Sequence, residues 1–236
     1  MNHVISKAAV IGAGNMGAGI AAHLANAGVR VLLLDRVDPD SASRNALAEK
    51  AVERQLRGGG FMHPGRLPLV EVGNVEDDLA RVSDADWIVE AVFEDPEIKR
   101  DLYRRLDAVR KPGSIVSSNT STIPLAHLTE GLGKKFASDF VITHFFNPPR
   151  VMKLLELVGG AHTSPHTLQR AQVICDEILG KTVLRCRDTP GFIANRIGNY
   201  WMSVAALEAK TLGMTVEEAD AVMGAPFRLP RTGIFG

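Results

Sequence analysis

The sequence predicts a doubly wound α/β fold with a mainly parallel sheet, followed by the start of an α-helical domain. Three observations carry this expectation. Short β-branched or Leu-rich runs alternate with helix-length amphipathic stretches through the first part of the chain. Those runs are apolar throughout rather than alternating with polar residues, the pattern of strands covered on both faces. From Asp188-Thr189-Pro190-Gly191 onward the pattern turns helical.

Strands are expected at residues 8–11, 29–34, 87–91, 114–117 and 140–143, with further candidates at 153–158 and 182–185. Gly28 closes the first helix. Pro96 opens a helix over 97–109, near a first turn where a missing N–H costs nothing. Residues 57–73 contain a run of glycines, two prolines and a histidine, which break every periodicity and read as a surface loop or flap. A helix is expected over 165–179. Beyond residue 191 come helices over 192–212 and 216–223, then a tail bearing Pro and Gly. The reading therefore divides the chain into residues 1–188 and 189–236. Two helices bury little core of their own, so the sequence reads as a truncated piece or as the front of a longer polypeptide.

With 45% hydrophobic and 23% charged residues, the chain can bury a full core. Lys+Arg and Asp+Glu both total 27, so no basic field draws nucleic acid or an anionic membrane. No apolar run reaches the roughly 20 residues of a membrane span, and no signal-peptide pattern opens the chain, so a cytoplasmic protein is expected. Cys175 and Cys186 form neither a redox pair nor a metal knuckle and read as buried reduced thiols. No metal site is expected.

Gly12-Ala13-Gly14-Asn15-Met16-Gly17 follows an apolar strand and opens a helix. In that setting the first glycine makes the tight turn, the second admits a pyrophosphate close to the backbone, and the third lets helix and strand pack. The helix start offers unpaired N–H groups and a positive dipole end. Asp35 ends the next strand, about 20 residues on, where a carboxylate accepts from ribose hydroxyls and repels a 2′-phosphate. A Rossmann-type site for NAD rather than NADP follows. Arg36, alongside, could cover the adenine or hold a 2′-phosphate. The bland alternatives are an ordinary βα turn and a solvated strand-end acid.

His144 ends the strand Phe140-Val141-Ile142-Thr143-His144, where an open α/β sheet presents its ligand crevice. Glu156 lies inside Leu154-Leu155-Glu156-Leu157-Val158, a poor place for an acid without a partner. Paired, the carboxylate would fix the imidazole tautomer and leave the other nitrogen to take a proton from a hydroxyl. Alone, His144 would more often be a satisfied core histidine. Ser117-Ser118-Asn119-Thr120-Ser121-Thr122 follows another strand, and Asn195 opens the helix after Pro190-Gly191. Either could hold an oxygen that becomes a carbonyl, or merely cap a helix.

The stretches KAAVIGAGNMGAGIAAHLANAGVRVLLLDR, DWIVEAVFEDPEIKRDLYRRL, SSNTST, THFFNPPRVMKLLELV and DTPGFIANR resemble the L-3-hydroxyacyl-CoA dehydrogenases. The resemblance implies that His144 is the base, Glu156 its partner, and Ser121 and Asn195 the groups around the 3-oxygen of an acyl-CoA thioester. It places Glu94 and Lys99 at the cofactor and CoA face, with Ala91 and Asn119 among the cofactor-side residues. It further implies β-oxidation of (S)-3-hydroxyacyl-CoA with NAD, an α-helical domain used for a homodimer, and, from the GAPFRLPRTGIFG ending and the 57–73 insertion, a fused enoyl-CoA hydratase domain. Two other functions compete: a β-hydroxyacid dehydrogenase for a free acid, which would use a catalytic lysine, and a non-enzymatic NAD-binding or structural protein of the kind seen among lens crystallins.

Overall fold

A computed structural model describes residues 5–227 and 233–235. The chain separates into two compact units, Met1–Thr189 and Pro190–Gly236. In the first unit the strands are β1 (Lys7–Ile11), β2 (Arg30–Asp35), β3 (Val70–Asn74), β4 (Trp87–Glu90), β5 (Ile115–Ser118), β6 (Phe140–Phe145), β7 (Leu154–Gly159) and β8 (Thr182–Cys186). They form one sheet in the order β3-β2-β1-β4-β5-β6-β7-β8. Every pairing is parallel except β6 with β7. The expected doubly wound sheet is therefore present. Its order reverses between β1 and β4, the switch point where such sheets leave a crevice outside their carboxyl ends.

The helices are α1 (Asn15–Asn26), α2 (Ala46–Arg57), α3 (Pro96–Val109), the short α4 (Leu125–Leu128) and α5 (Lys134–Ser138), and α6 (Pro165–Val173). Pro96 stands in the first turn of α3, and the Asp95 carboxylate accepts from the Glu97 and Ile98 amides. β1, β2, β4 and β6 are buried almost end to end, and α1 packs eight buried residues, six of them Ala or Gly, against them. Small side chains bring that helix close to the sheet, and Gly19 lies where an added Cβ would strike the Pro149 ring.

The structure corrects the reading of residues 57–73 as a surface loop. The segment holds a 3₁₀ turn, Pro64–Leu69, and its last residues begin β3, which pairs in parallel with β2. It is also tied down. Asn26 donates to the Gly60 carbonyl at 2.8 Å and accepts from the Met62 amide at 2.9 Å, while Phe61 joins the core. The helix expected over 165–179 is α6 followed by a π turn, Ile174–Ile178. Cys175 is buried, but Cys186 is only partly so, contrary to the expectation for both thiols.

The second unit contains α7 (Ala194–Thr211) and α8 (Val216–Gly224). Between them lies an apolar cleft of about 260 Å³ lined by Trp201, Val204, Leu212 and Met223, among others. Ile197, Tyr200 and Leu207 are exposed. Among the described residues no helix is long and apolar enough to cross a membrane.

Candidate functional site

Gly12 leaves β1 with φ +99°, a left-handed conformation that costs glycine little. A Cβ there would also run into the Ala91 carbonyl. A Cβ on Gly17 would overlap the Gly12 carbonyl. Both positions thus need the absence of a side chain, while Gly14 faces open space. α1 then begins with Asn15 and Met16 in its first turn, after a Gly14 cap that offers no side-chain acceptor. First-turn amides lack intrahelical acceptors, so they are available to an anion.

Gly12, Gly14, Asp35, Arg36 and Ala91, five of the residues singled out from sequence, line one cleft of about 900 Å³. The rest of its wall combines the charged Glu97, Asp101 and Arg105 with the apolar Ile11, Val75, Val92, Phe93, Ile98 and Leu102, which the sequence did not announce. These apolar faces suit a planar base. Asp35 Oδ2 accepts from the Ala13 amide at 2.5 Å and Oδ1 from the Arg36 amide at 2.7 Å, which holds the carboxylate at the mouth of the glycine turn. The glycine loop, the helix start and the cleft with an acid at its edge fit NAD.

On the far side of the switch point, β6 and β7 run antiparallel with His144 directly opposite Glu156. Their side chains meet at 2.7 Å, His144 Nδ1 to Glu156 Oε2. Glu156 is fully buried, His144 nearly so, and the Phe146 ring lies 4.6 Å from the imidazole. Burial, then the charge of Glu156, pushes the neighbouring Cys186 thiol up to about 11, so it stays protonated beside the pair. Asn119 Oδ1 accepts from the Phe145 amide at 3.0 Å, fixing the chain just past His144. The following loop, 146–153, is pinned from below by Lys181, whose ammonium donates to the carbonyls of Pro149 and Met152. Asn15 reaches that loop at Asn147 Oδ1, 3.4 Å away, so the glycine motif and the histidine loop are neighbours.

Ser121 sits in the loop after β5. Glu94 Oε1 organises that loop by accepting from the Thr120 hydroxyl, from the Ser121 amide at 3.3 Å and from the Thr122 hydroxyl at 3.1 Å. Glu94 Oε2 pairs with Lys99 at 3.1 Å. Burial works against the Glu94 charge, but the Thr120 hydroxyl and the Lys99 ammonium outweigh it and hold the carboxyl below its ordinary value. Lys99 itself is buried in the interior beneath the loop, where its ammonium meets Glu90 Oε1 at 2.6 Å. The Ser/Thr run does not cap α4; that role belongs to Asp188, whose carboxylate accepts from the Leu125 and Ala126 amides at 2.7 and 3.1 Å. Asn195 stands in the first turn of α7, in the second unit.

Sequence reasoning missed Glu90 and Tyr103. Glu90 accepts from Tyr103 Oη at 2.5 Å, and burial, followed by that carboxylate's charge, raises the phenol well above its ordinary value. The signal for Glu90 was present: an acid ending the apolar run Trp87-Ile88-Val89 is the same kind of anomaly as Glu156.

The glycine turn at a sheet reversal, the acid at its edge and the imidazole–carboxylate pair beside it define a nucleotide-binding dehydrogenase domain. Residues 7–189 match the family described as "3-hydroxyacyl-CoA dehydrogenase, NAD binding domain", and the chain belongs to that family. A "Probable 3-hydroxyacyl-CoA dehydrogenase" of Deinococcus radiodurans is 47% identical over 222 residues, 93% of this chain and 64% of that protein. A Rickettsia felis protein, named for a fatty acid oxidation complex trifunctional enzyme, is 40% identical over all of this chain but only 33% of its own length. This chain thus spans less than two thirds of either relative. The crystal structure of Mycobacterium tuberculosis FadB2 superposes with a TM-score of 0.81 at 31% identity, covering 96% of this chain and 79% of that one.

Proposed function

We propose that this chain carries the NAD-binding and proton-transfer parts of an enzyme that oxidises (S)-3-hydroxyacyl-CoA to 3-ketoacyl-CoA. The observation that carries the reading is the buried 2.7 Å contact between His144 Nδ1 and Glu156 Oε2 beside the nucleotide cleft. Accepting at Nδ1, the carboxylate selects the Nδ1–H tautomer and makes Nε2 the basic nitrogen. His144 Nε2 then takes the proton of the substrate's 3-hydroxyl, and Glu156 stabilises the imidazolium that results. When bound, NAD supplies the oxidant, accepting the hydride that leaves C3. In the reverse direction His144 returns the proton to the oxygen. Ser121 is assigned to the 3-oxygen, where donors favour charge that develops in the transition state. The hold of Glu94 on its backbone amide supports a fixed role for Ser121.

Two buried lysines bear on the alternative of a lysine-dependent dehydrogenase for a free acid. Lys99 is engaged by Glu90 and Glu94, and Lys181 by two backbone carbonyls. Both are structural anchors here, which favours the histidine. A homodimer through the helical unit, a fused hydratase domain and a cytoplasmic location complete the reading. The exposed Ile197, Tyr200 and Leu207 support the first, and the trifunctional naming of the Rickettsia relative supports the second.

The test is NAD reduction by the full-length protein with (S)-3-hydroxybutyryl-CoA, its longer homologues and free 3-hydroxybutyrate. Turnover of the thioesters alone is expected. Turnover of the free acid in their place would overturn the assignment.

A further inference from the structure

Glu90 is the last residue of β4 and is fully buried at the carboxyl edge of the sheet. Four donors converge on its carboxylate from three directions. Lys99 Nζ of α3 lies at 2.6 Å, Tyr103 Oη of the same helix at 2.5 Å, Ser118 Oγ at the end of β5 at 2.7 Å, and the Val92 amide at 2.8 Å. Three of the four contacts lead to walls of the site. The Val92 amide shapes the turn that presents Ala91 to the nucleotide cleft. Ser118 Oγ also accepts from the Thr120 amide at 3.2 Å, at the root of the Ser121 loop. Lys99 is shared: its ammonium bridges Glu90 to Glu94, and Glu94 Oε1 holds Thr120, Ser121 and Thr122.

A lysine buried this deeply needs a full counter-charge. Glu94 meets the ammonium through Oε2 at 3.1 Å while Oε1 holds the loop; as the sole carboxylate partner it would be drawn closer to Lys99 and its hold on the Ser121 loop would loosen. Glu90 supplies that charge from below, which leaves Glu94 turned toward the loop. We propose that Glu90 is a positioning residue of this site: by neutralising Lys99 and anchoring Ser118, it sets the place of the Ser121 loop against the substrate oxygen. The proposal rests on the reading of Ser121 given above. It concerns no contact between Glu90 and substrate or cofactor.

The test compares Glu90→Gln and the double variant Glu90→Gln/Lys99→Met with the wild type, in the full-length protein. Removing one member of a buried pair can unfold a chain, whereas replacing both is often tolerated, so the double variant keeps the test open if the single one does not fold. Expected for the folded variant is a kcat lowered about 100-fold, the scale on which a displacement of roughly 1 Å acts, with NAD affinity within about threefold of wild type. Amide hydrogen exchange at residues 119–122 should speed up, while exchange at 12–17 stays unchanged. A folded double variant with wild-type kcat and unchanged exchange at 119–122 would show that Glu90 and Lys99 only support the fold. If the wild type turns over no 3-hydroxyacyl thioester, the activity reading fails, and exchange at 119–122 alone then decides whether Glu90 positions the loop.

Discussion

His144 and Glu156 face each other across the antiparallel β6–β7 pairing, all other strand pairings among the described residues being parallel, with Nδ1 and Oε2 2.7 Å apart. The geometry is rigid because both residues belong to paired strands rather than to a loop. Replacing Glu156 with Gln keeps the shape but removes the charge and the tautomer preference. The expected result is a loss of about 10²–10⁴-fold in kcat/KM for the thioester. Calorimetry should show NAD affinity within about threefold of wild type, because Asp35 and the glycine turn lie elsewhere in the sheet.

Asp35 sets the cofactor preference. A neutral Asp35→Ser variant loses a charge-assisted acceptor for ribose hydroxyls and the repulsion of a 2′-phosphate. NAD should bind about 10- to 100-fold more weakly, the equivalent of roughly 1.5–3 kcal/mol, and the discrimination against NADP should shrink. Titration of both nucleotides checks this. An unchanged preference would remove Asp35 from the site.

Gly12→Ala combines two faults, a left-handed φ of +99° and a Cβ inside the Ala91 carbonyl. It should cost more than about 1 kcal/mol of stability and shift the turn that receives the pyrophosphate. Chemical denaturation and NAD titration should report both losses together. By contrast Gly14→Ala, whose added Cβ meets nothing, should leave stability within about 0.5 kcal/mol of wild type and impair only NAD binding.

His23, on α1, gives a pH dependence unrelated to catalysis. Its Nε2 meets the Leu179 carbonyl at 3.1 Å, and its Nδ1 is buried with no partner among the described residues. Burial, reinforced by the Lys181 charge, lowers it from 6.5 to about 4. Between those values the unfolded chain holds the proton and the folded one does not, so stability falls as pH drops from about 6.5 towards 4. The loss amounts to about 3 kcal/mol below pH 4. His23→Gln retains a donor for Leu179 without titrating. Its unfolding free energy should fall correspondingly less over this window, as denaturant titrations at several pH values can measure.

Much of the site was legible because its signals are local. The glycine turn, Asp35 and the acid inside β7 are each conspicuous against their apolar surroundings. What escaped depends on tertiary pairing. β3 is a short, half-exposed edge strand, and its preceding segment gains structure only from Asn26 and Phe61 at a distance. Lys99, in the first turn of α3, is placed at the cofactor and CoA face by the resemblance alone, and no local pattern shows that it is buried. It turns inward toward Glu90, nine positions earlier on another element, and toward Glu94. The helix cap supplied by Asp188 to Leu125 spans 63 positions, a separation that no local pattern announces.

The most direct measurement is NADH formation from (S)-3-hydroxybutyryl-CoA by the wild type and by His144→Gln, with NAD binding followed in parallel. The account predicts turnover by the wild type, a loss of at least about 10²-fold in the variant, and equal NAD affinity in both. Turnover by the variant at the wild-type rate would contradict it.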